Sequence, residues 1–383
     1  MQRRTLLKLL ATSLCLPLAY RLGATEESGS PWKRKLLLVE LKGGNDGLNT
    51  VIPYEDSTYY QLRPELAIPR GEVLPLRDGV GLHPALAPLL PLWTSGGLAV
   101  IQGVGYPAPN LSHFRSIEIW ETGSAADEYR EEGWLVRAFD KDPPSHHFAA
   151  EGIVVDGREL GPLVGGGSRV LTLKDLDRFE KQAKHVESSE VKTDNPSLAH
   201  ILAVEAAIEH AADELSLPDP FSVTFPSTAF GKALHTACRI LAADKCPVVV
   251  VSLGSFDTHT RQAQTHERLL AQLAEGLNVV HQALSEAGQW DNTLVSTYSE
   301  FGRRPAQNRS GGTDHGTAAP HLVLGGKVKG GLFGTHPDLK DLSDGNLKFT
   351  TDYRQLYATI LERWWNIRSA GVLGDNFEPL GFV

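Results

Sequence analysis

Short apolar runs alternate with longer stretches of helical periodicity along this chain. The runs are KLLLVEL at 35–41, GLAVIQGV at 97–104, GIVVDG at 152–157, PVVVVSLG at 247–254, TLVSTYS at 293–299 and PHLVLGG at 320–326. Each is nearly continuous in Val, Leu and Ile, which predicts strands covered on both faces. Helical patterns fall between them, at about 84–95, 113–122, 197–215, 228–243, 261–288 and 353–366, with Asp352 placed as the N-cap of the last. This alternation predicts an α/β fold: a doubly wound, largely parallel sheet with helices on both faces. Residues 157–195 interrupt it with GPLVGGGS and the mixed-charge run KDLDRFEKQAKHVESSEVKTD, which reads as a surface excursion or lid.

The first residues, MQRRTLLKLLATSLCLPLAYRLGA, carry Arg3, Arg4, Lys8 and Arg21, no acid, and an apolar stretch from Leu6 to Ala19 that is too short for an ordinary membrane span. That pattern predicts an export signal over 1–24. Arg3-Arg4-Thr5-Leu6-Leu7-Lys8 resembles the twin-arginine type, with the translocase of that pathway as a transient partner; an ordinary secretory peptide with paired arginines is the alternative. Cleavage near Ala24 leaves one α/β domain over 33–383 in the periplasm or outside the cell, and an uncleaved signal leaves it membrane-anchored. Losing four positive charges and no negative one takes the formal net charge from −9 to −13. So acidic a protein is a poor partner for nucleic acid or anionic lipid. Cys238 and Cys246 remain, read as core thiols that an oxidising compartment would allow to pair.

In open α/β sheets, sites gather beyond the carboxyl ends of the strands. Four strands here are followed by polar clusters. After the first, KGGNDGLNT places Asn45, Asp46 and Asn49 in a glycine turn; after the second, GYPAPNLSHFRSIEIW brings Ser112, His113 and Arg115 to a helix start, where exposed N–H groups favour an anion. After VVVVSLGS, FDTHTRQAQTHERLL supplies Asp257, His259 and His266, a carboxylate and imidazole set suited to zinc or another divalent metal. YSEFGRR then gives Glu300, Arg303 and Arg304, and GGTDHGTAAPHLVLGG gives Asp314 and His315. Arginine's planar fork suits phosphate, sulfate or carboxylate.

Taken in order, LKGGNDGLNTVIPY, LHPALAPLLPLW, GVGYPAPNLSHFRSIEIWETG, FDTH, YSEFGRR, GGTDHGTAAPHLVLGG and GLFGTHPDL closely resemble the DUF1501 proteins over nearly the whole chain. That family in turn is similar to the alkaline phosphatase and sulfatase superfamily. The resemblance implies an alkaline phosphatase-like sheet with a metal site at its carboxyl edge, served by Asp46, Asp257, His259, Glu300, Asp314 and His315. It also implies a hydroxyl nucleophile opening a helix, for which Ser112 and Ser116 both stand available. The chain departs from the pattern where Glu300-Phe301 replaces an Asp-His pair, and where Asp257 and His259 lie closer than usual.

The expectation is an exported hydrolase of phosphate or sulfate esters. One or two divalent ions (zinc, manganese, calcium or magnesium) would be held by those six residues, Ser112 would be the nucleophile, and Arg303 or Arg304 would clamp the anionic small-molecule or polymer ester. The competing expectation is a non-catalytic exported protein that binds a ligand or an exported partner on the same fold. A nucleotide-binding oxidoreductase is disfavoured, because no G-x-G-x-x-G opens the helix after GGNDG.

Overall fold

The computed structural model describes residues 30–144, 147–157, 159–183, 195 and 211–383. The export signal expected at 1–24 lies outside the described residues, as does the pattern at 197–215 apart from its helical end at 211–214. Residues 32–383 form one of the two compact units into which the chain divides. Among the described residues no helix is long and apolar enough to cross a membrane.

Among the described residues, nine strands form the central sheet: β1 (Lys35–Leu41), β2 (Leu98–Gly105), β3 (Gly152–Val155), β4 (Val170–Leu173), β5 (Val248–Leu253), β6 (Thr293–Tyr298), β7 (Ala319–Leu324), β8 (Gly331–Phe333) and β9 (Thr351–Asp352). Across the sheet they run β8-β2-β7-β6-β1-β5-β3-β4, with β9 also paired to β2. All pairings are parallel except those of β7, which is antiparallel to both β6 and β2. The reversed strand matters, because it brings its own start, and the residues just before it, to the edge where its neighbours end.

Alternating side chains of the central strands feed two cores, as the two-residue period of a strand requires. Leu37, Val39 and Leu41 pack with the helices α4 (Ala229–Ala242) and α5 (Gln262–Glu286). On the other face, Leu36 and Leu38 pack with α2 (His113–Thr122), α3 (Trp134–Lys141) and α6 (Tyr353–Thr359), preceded in the chain by the short helix α1 (Ser57–Leu62). Covering both faces is what the unbroken Val/Leu/Ile runs demand.

Three sequence expectations change. Residues 84–95 form a 3-10 helix, Pro84–Leu89, followed by the short α-helix Leu90–Thr94, since Pro84, Pro88 and Pro91 withhold amide donors. Val170–Leu173, within the segment read as an excursion, continues the sheet as its edge strand beside β3. Its half-exposed burial pattern explains why it did not read as a core strand. Helix α6 opens with Asp352 in a full capping box with Gln355, but past Thr359 it continues as a π-helix over Ile360–Trp364. Cys238 and Cys246 are both free and buried.

Candidate metal centre

The carboxyl edge gathers the loop after β1, the approach to α2, the loop from β5 into α5, the two residues after β6, and the segment that precedes the reversed strand β7. Glycine makes this convergence feasible. Gly43 has φ +118°, and a Cβ there would stand 2.5 Å from the backbone nitrogen of Asp257, so only glycine lets the first loop press against the third.

Glu300, immediately after β6, is 2% exposed and accepts the Gly43 N–H on both oxygens at 2.9 and 3.1 Å and the Ser299 hydroxyl at 3.2 Å. Its Oε1 lies 2.8 Å from Nδ1 of His113, the first residue of α2. Because the Glu300 carboxylate is an acceptor, the His113 Nδ1 donates to it, and in the neutral ring Nε2 is then the lone pair. His315 is set in the same way: its Nδ1 donates to the Leu111 carbonyl at 2.8 Å. Burial lowers the pKa of His315 below the usual 6.5 against the opposing pull of that carbonyl, which favours a neutral ring.

The Nε2 atoms of His113 and His315 and one oxygen of Asp257 lie within 4.8 Å of one another. The His113 Nε2 is buried and has no hydrogen-bond partner. Asp257 presents Oδ2 to it at 3.5 Å, while its Oδ1 receives the Arg303 guanidinium at 2.7 Å. Burial raises the Asp257 pKa, but the hydrogen bond and charge of Arg303, with His259 and His113, outweigh it and hold the carboxyl below its ordinary value. His259 closes the rim: its Nε2 is 3.0 Å from both His315 Nε2 and Asp257 Oδ1, and its Nδ1 is 3.4 Å from Asp314. Asp314 is held low chiefly by its hydrogen bond from Asn308. Acceptor atoms aimed at one point, with the rest of each ring tied down, fit a divalent cation, and two imidazoles with a carboxylate fit zinc or a similar transition metal better than calcium or magnesium.

Several expected residues have other duties. Asp46 is fully buried, with both oxygens engaged by the Arg63 fork at 2.7 and 2.9 Å and a further hydrogen bond from Gln262, so it is spent in a structural ion pair apart from the cluster. Arg303 is 1% exposed and spans the loops, donating to the carbonyls of Gly43, Gly44, Phe256 and Thr313 besides Asp257. It is a strut, buried away from any substrate. Glu300 stands one step behind the cluster, orienting His113. Ser116 is buried, bonded to the Tyr106 hydroxyl and the Glu300 carbonyl, which removes it as a nucleophile. Ser112 is exposed at the N-cap of α2, beside His113, and its hydroxyl caps no helix N–H. Arg304 lines a cleft of about 830 Å3 with Leu111, Lys348 and Phe349. His266 is buried against Asn45 at 2.9 Å, and burial drives its pKa down to about 4.

His113 was the residue that sequence reasoning passed over as a neighbour of Ser112. The signal was present, an imidazole at a strand-to-helix junction, the same signal that singled out Asp257 and His259.

The orienting role of Glu300 can be tested directly. Glu300→Gln keeps the shape but removes the charge behind His113, and should weaken metal affinity by about 10- to 100-fold, with some loss of melting temperature because an amide NH2 cannot accept the Gly43 N–H as the carboxylate does. A titration that finds wild-type affinity would make Glu300 a loop anchor only.

A family model described as protein of unknown function, DUF1501, matches residues 79–373. No curated protein matches the chain. Among solved structures, the chain is similar to a protein of the alkaline phosphatase superfamily from Vibrio parahaemolyticus, at 11% identity over 91% of this chain and 72% of that one, with a TM-score of 0.41. It is similar to the PsFucS1 sulfatase from Pseudoalteromonas sp. at 11% identity, covering 87% and 68%, with a TM-score of 0.40. A third is Ps i-CgsB in complex with k-i-k-neocarrahexaose, at 12% identity, covering 90% and 73%, with a TM-score of 0.40.

Proposed function

The chain belongs to the DUF1501 family, and from its site we propose that it is an exported, metal-dependent hydrolase of phosphate or sulfate esters. The observation that carries this reading is the convergence of His113, Asp257 and His315, with both imidazoles tied down through Nδ1 and their Nε2 atoms turned to Asp257 at 3.5 and 3.3 Å. A divalent ion bound there would lower the pKa of a water or hydroxyl and screen charge building on an ester oxygen.

The protein's own groups divide the remaining work. His259, supported on Nδ1 by Asp314, can hold or pass a proton at Nε2 beside the cluster. The Ser112 hydroxyl stands at the start of α2, where helix N–H groups favour developing negative charge. Arg304 takes the clamping role in place of Arg303. It lines the cleft that Leu111 joins to His315, together with Lys348, whose ammonium is paired with Asp341. An anionic small-molecule or polymer ester is the substrate this arrangement suits.

Metal content and turnover test the reading together. Full-length protein should hold about one zinc or manganese ion per chain, as a catalytic site with three protein ligands would. A chelator should abolish hydrolysis of 4-nitrophenyl phosphate or sulfate, and the restored ion should recover it. Folded protein that takes up no divalent ion would overturn the proposal. A non-catalytic exported binding protein is the second reading, favoured by the sequestration of Asp46 and Arg303 in ion pairs. It predicts bound metal with no turnover of either ester.

A further inference from the structure

Parallel register sets Ser252 of β5, Glu40 of β1 and Tyr298 of β6 side by side in one row. Two residues back on the same face are Val250 and Leu38, members of the apolar core. The row is therefore where that face turns polar, at the carboxyl edge. Glu40 is 6% exposed and receives the Ser252 hydroxyl at 2.6 Å; Tyr298 is 2% exposed.

Over this row lies a cavity of about 290 Å3, lined also by Lys42, Glu121 of α2, Asp156 and Glu159. The Tyr298 hydroxyl has no hydrogen-bond partner among the described residues, and it looks across the cavity at Gly161. A Cβ on Gly161 would stand 3.9 Å from that oxygen and 3.1 Å from Glu121 Oε1, so phenol and carboxylate face the same space. Glu121 likewise has no hydrogen bond or ion pair among the described residues. Four carboxylates thus line the cavity against one described cation, Lys42, which already lies 3.5 Å from Glu159.

An uncompensated carboxylate away from water is costly. Burial, then the charges of Glu40 and Glu159, push the Glu121 pKa up to about 8, and Lys42 opposes the shift too weakly to cancel it. A cation in the cavity would relieve this. A bare metal ion needs ligand atoms that converge, and among the described residues such a grouping is found at His113, Asp257 and His315 but not here. Acceptors spread around a cavity instead suit a ligand whose N–H donors are themselves spread.

We propose that this cavity binds a small organic cation with a primary ammonium or guanidinium group, its N–H donors taken by Glu40 and Glu121 and a further hydrogen bond made by the Tyr298 hydroxyl. The site is separate from the metal cluster and does not depend on the hydrolase reading. Binding carries a proton consequence. At neutral pH Glu121 is largely protonated, with Glu40, Glu159, Lys42 and Glu300 as the charged groups acting on it. An arriving cation favours its ionised form and expels the proton.

Calorimetry of the full-length protein with agmatine, which carries both cationic groups, tests this. Saturable binding is expected, with an enthalpy that varies with buffer because a proton is released. Glu121→Gln should abolish the release, and Glu121→Gln or Tyr298→Phe should weaken binding about tenfold or more at an unchanged melting temperature. Tyr298→Phe removes a single oxygen, so it keeps the test open if Glu121→Gln misfolds. Absence of saturable binding up to tens of millimolar, or equal affinity in both folded variants, overturns the proposal. So does magnesium chloride binding in agmatine's place with the same sensitivity to these variants.

Discussion

Alanine at position 113 is expected to abolish metal uptake at the proposed centre. His113 supplies a buried nitrogen without a partner, and its ring is fixed by Glu300 from behind. Removing a ligand should cost more than removing the group that orients it, so His113→Ala should lower metal affinity by more than about 100-fold, beyond the range seen for orienting residues. Ester hydrolysis should fall with it. Phe114, one residue along, is 88% exposed and points away from the core, so Phe114→Ala serves as the control and should leave metal affinity unchanged. If His113→Ala retains wild-type metal content while Asp257→Asn loses it, the centre is built around Asp257, His259 and His315 without His113.

The second large effect concerns stability. Arg63, fully buried, holds Asp46 through both guanidinium nitrogens and also donates to Asn49 and to the carbonyls of Arg304 and Pro305. Arg63→Ala leaves the Asp46 carboxylate buried without its partner, and breaking such a pair costs about 3–5 kcal/mol. Urea unfolding should report that loss. Replacing both residues by apolar ones of similar volume should restore much of it, because the intact pair itself repays little beyond its desolvation. Burial raises the Asp46 pKa, but Arg63 overrides it and the carboxyl sits below its ordinary 3.8. Its contribution is therefore complete above that value and is lost as pH falls through the lower, folded one. A loss below about 1 kcal/mol in Arg63→Ala would mean that Asp46 does not depend on Arg63, and would return Asp46 to the list of metal ligands.

These two experiments separate residues that look alike in sequence. Asp46 and Asp257 both follow a strand of the sheet in a turn, and each is a plausible ligand by position. In the fold, Asp46 meets an arginine from a segment 17 residues later, while Asp257 keeps one oxygen turned toward His113. Arg303 and Arg304 are adjacent, yet the backbone turns the first inward across three loops and leaves the second lining the cleft.

The sequence by itself determined six of the nine described strands of the sheet, because a run such as VVVV at 248–251 can be buried on both faces only between two helical layers. It pointed to the loops after 41, 104, 254 and 299 as candidates for chemistry, because polar residues and glycines cluster there. It could not determine partners. Whether a carboxylate meets a guanidinium, an imidazole or a metal depends on which loops touch, and those contacts join residues as far apart as Gly43 and Glu300. Nor could it determine strand direction. Because β7 runs against its neighbours, its beginning lies at their ends, and His315 reaches the site from in front of a strand rather than from behind one. That reversal is a property of pairing across the sheet, which no local pattern of hydrophobic residues encodes.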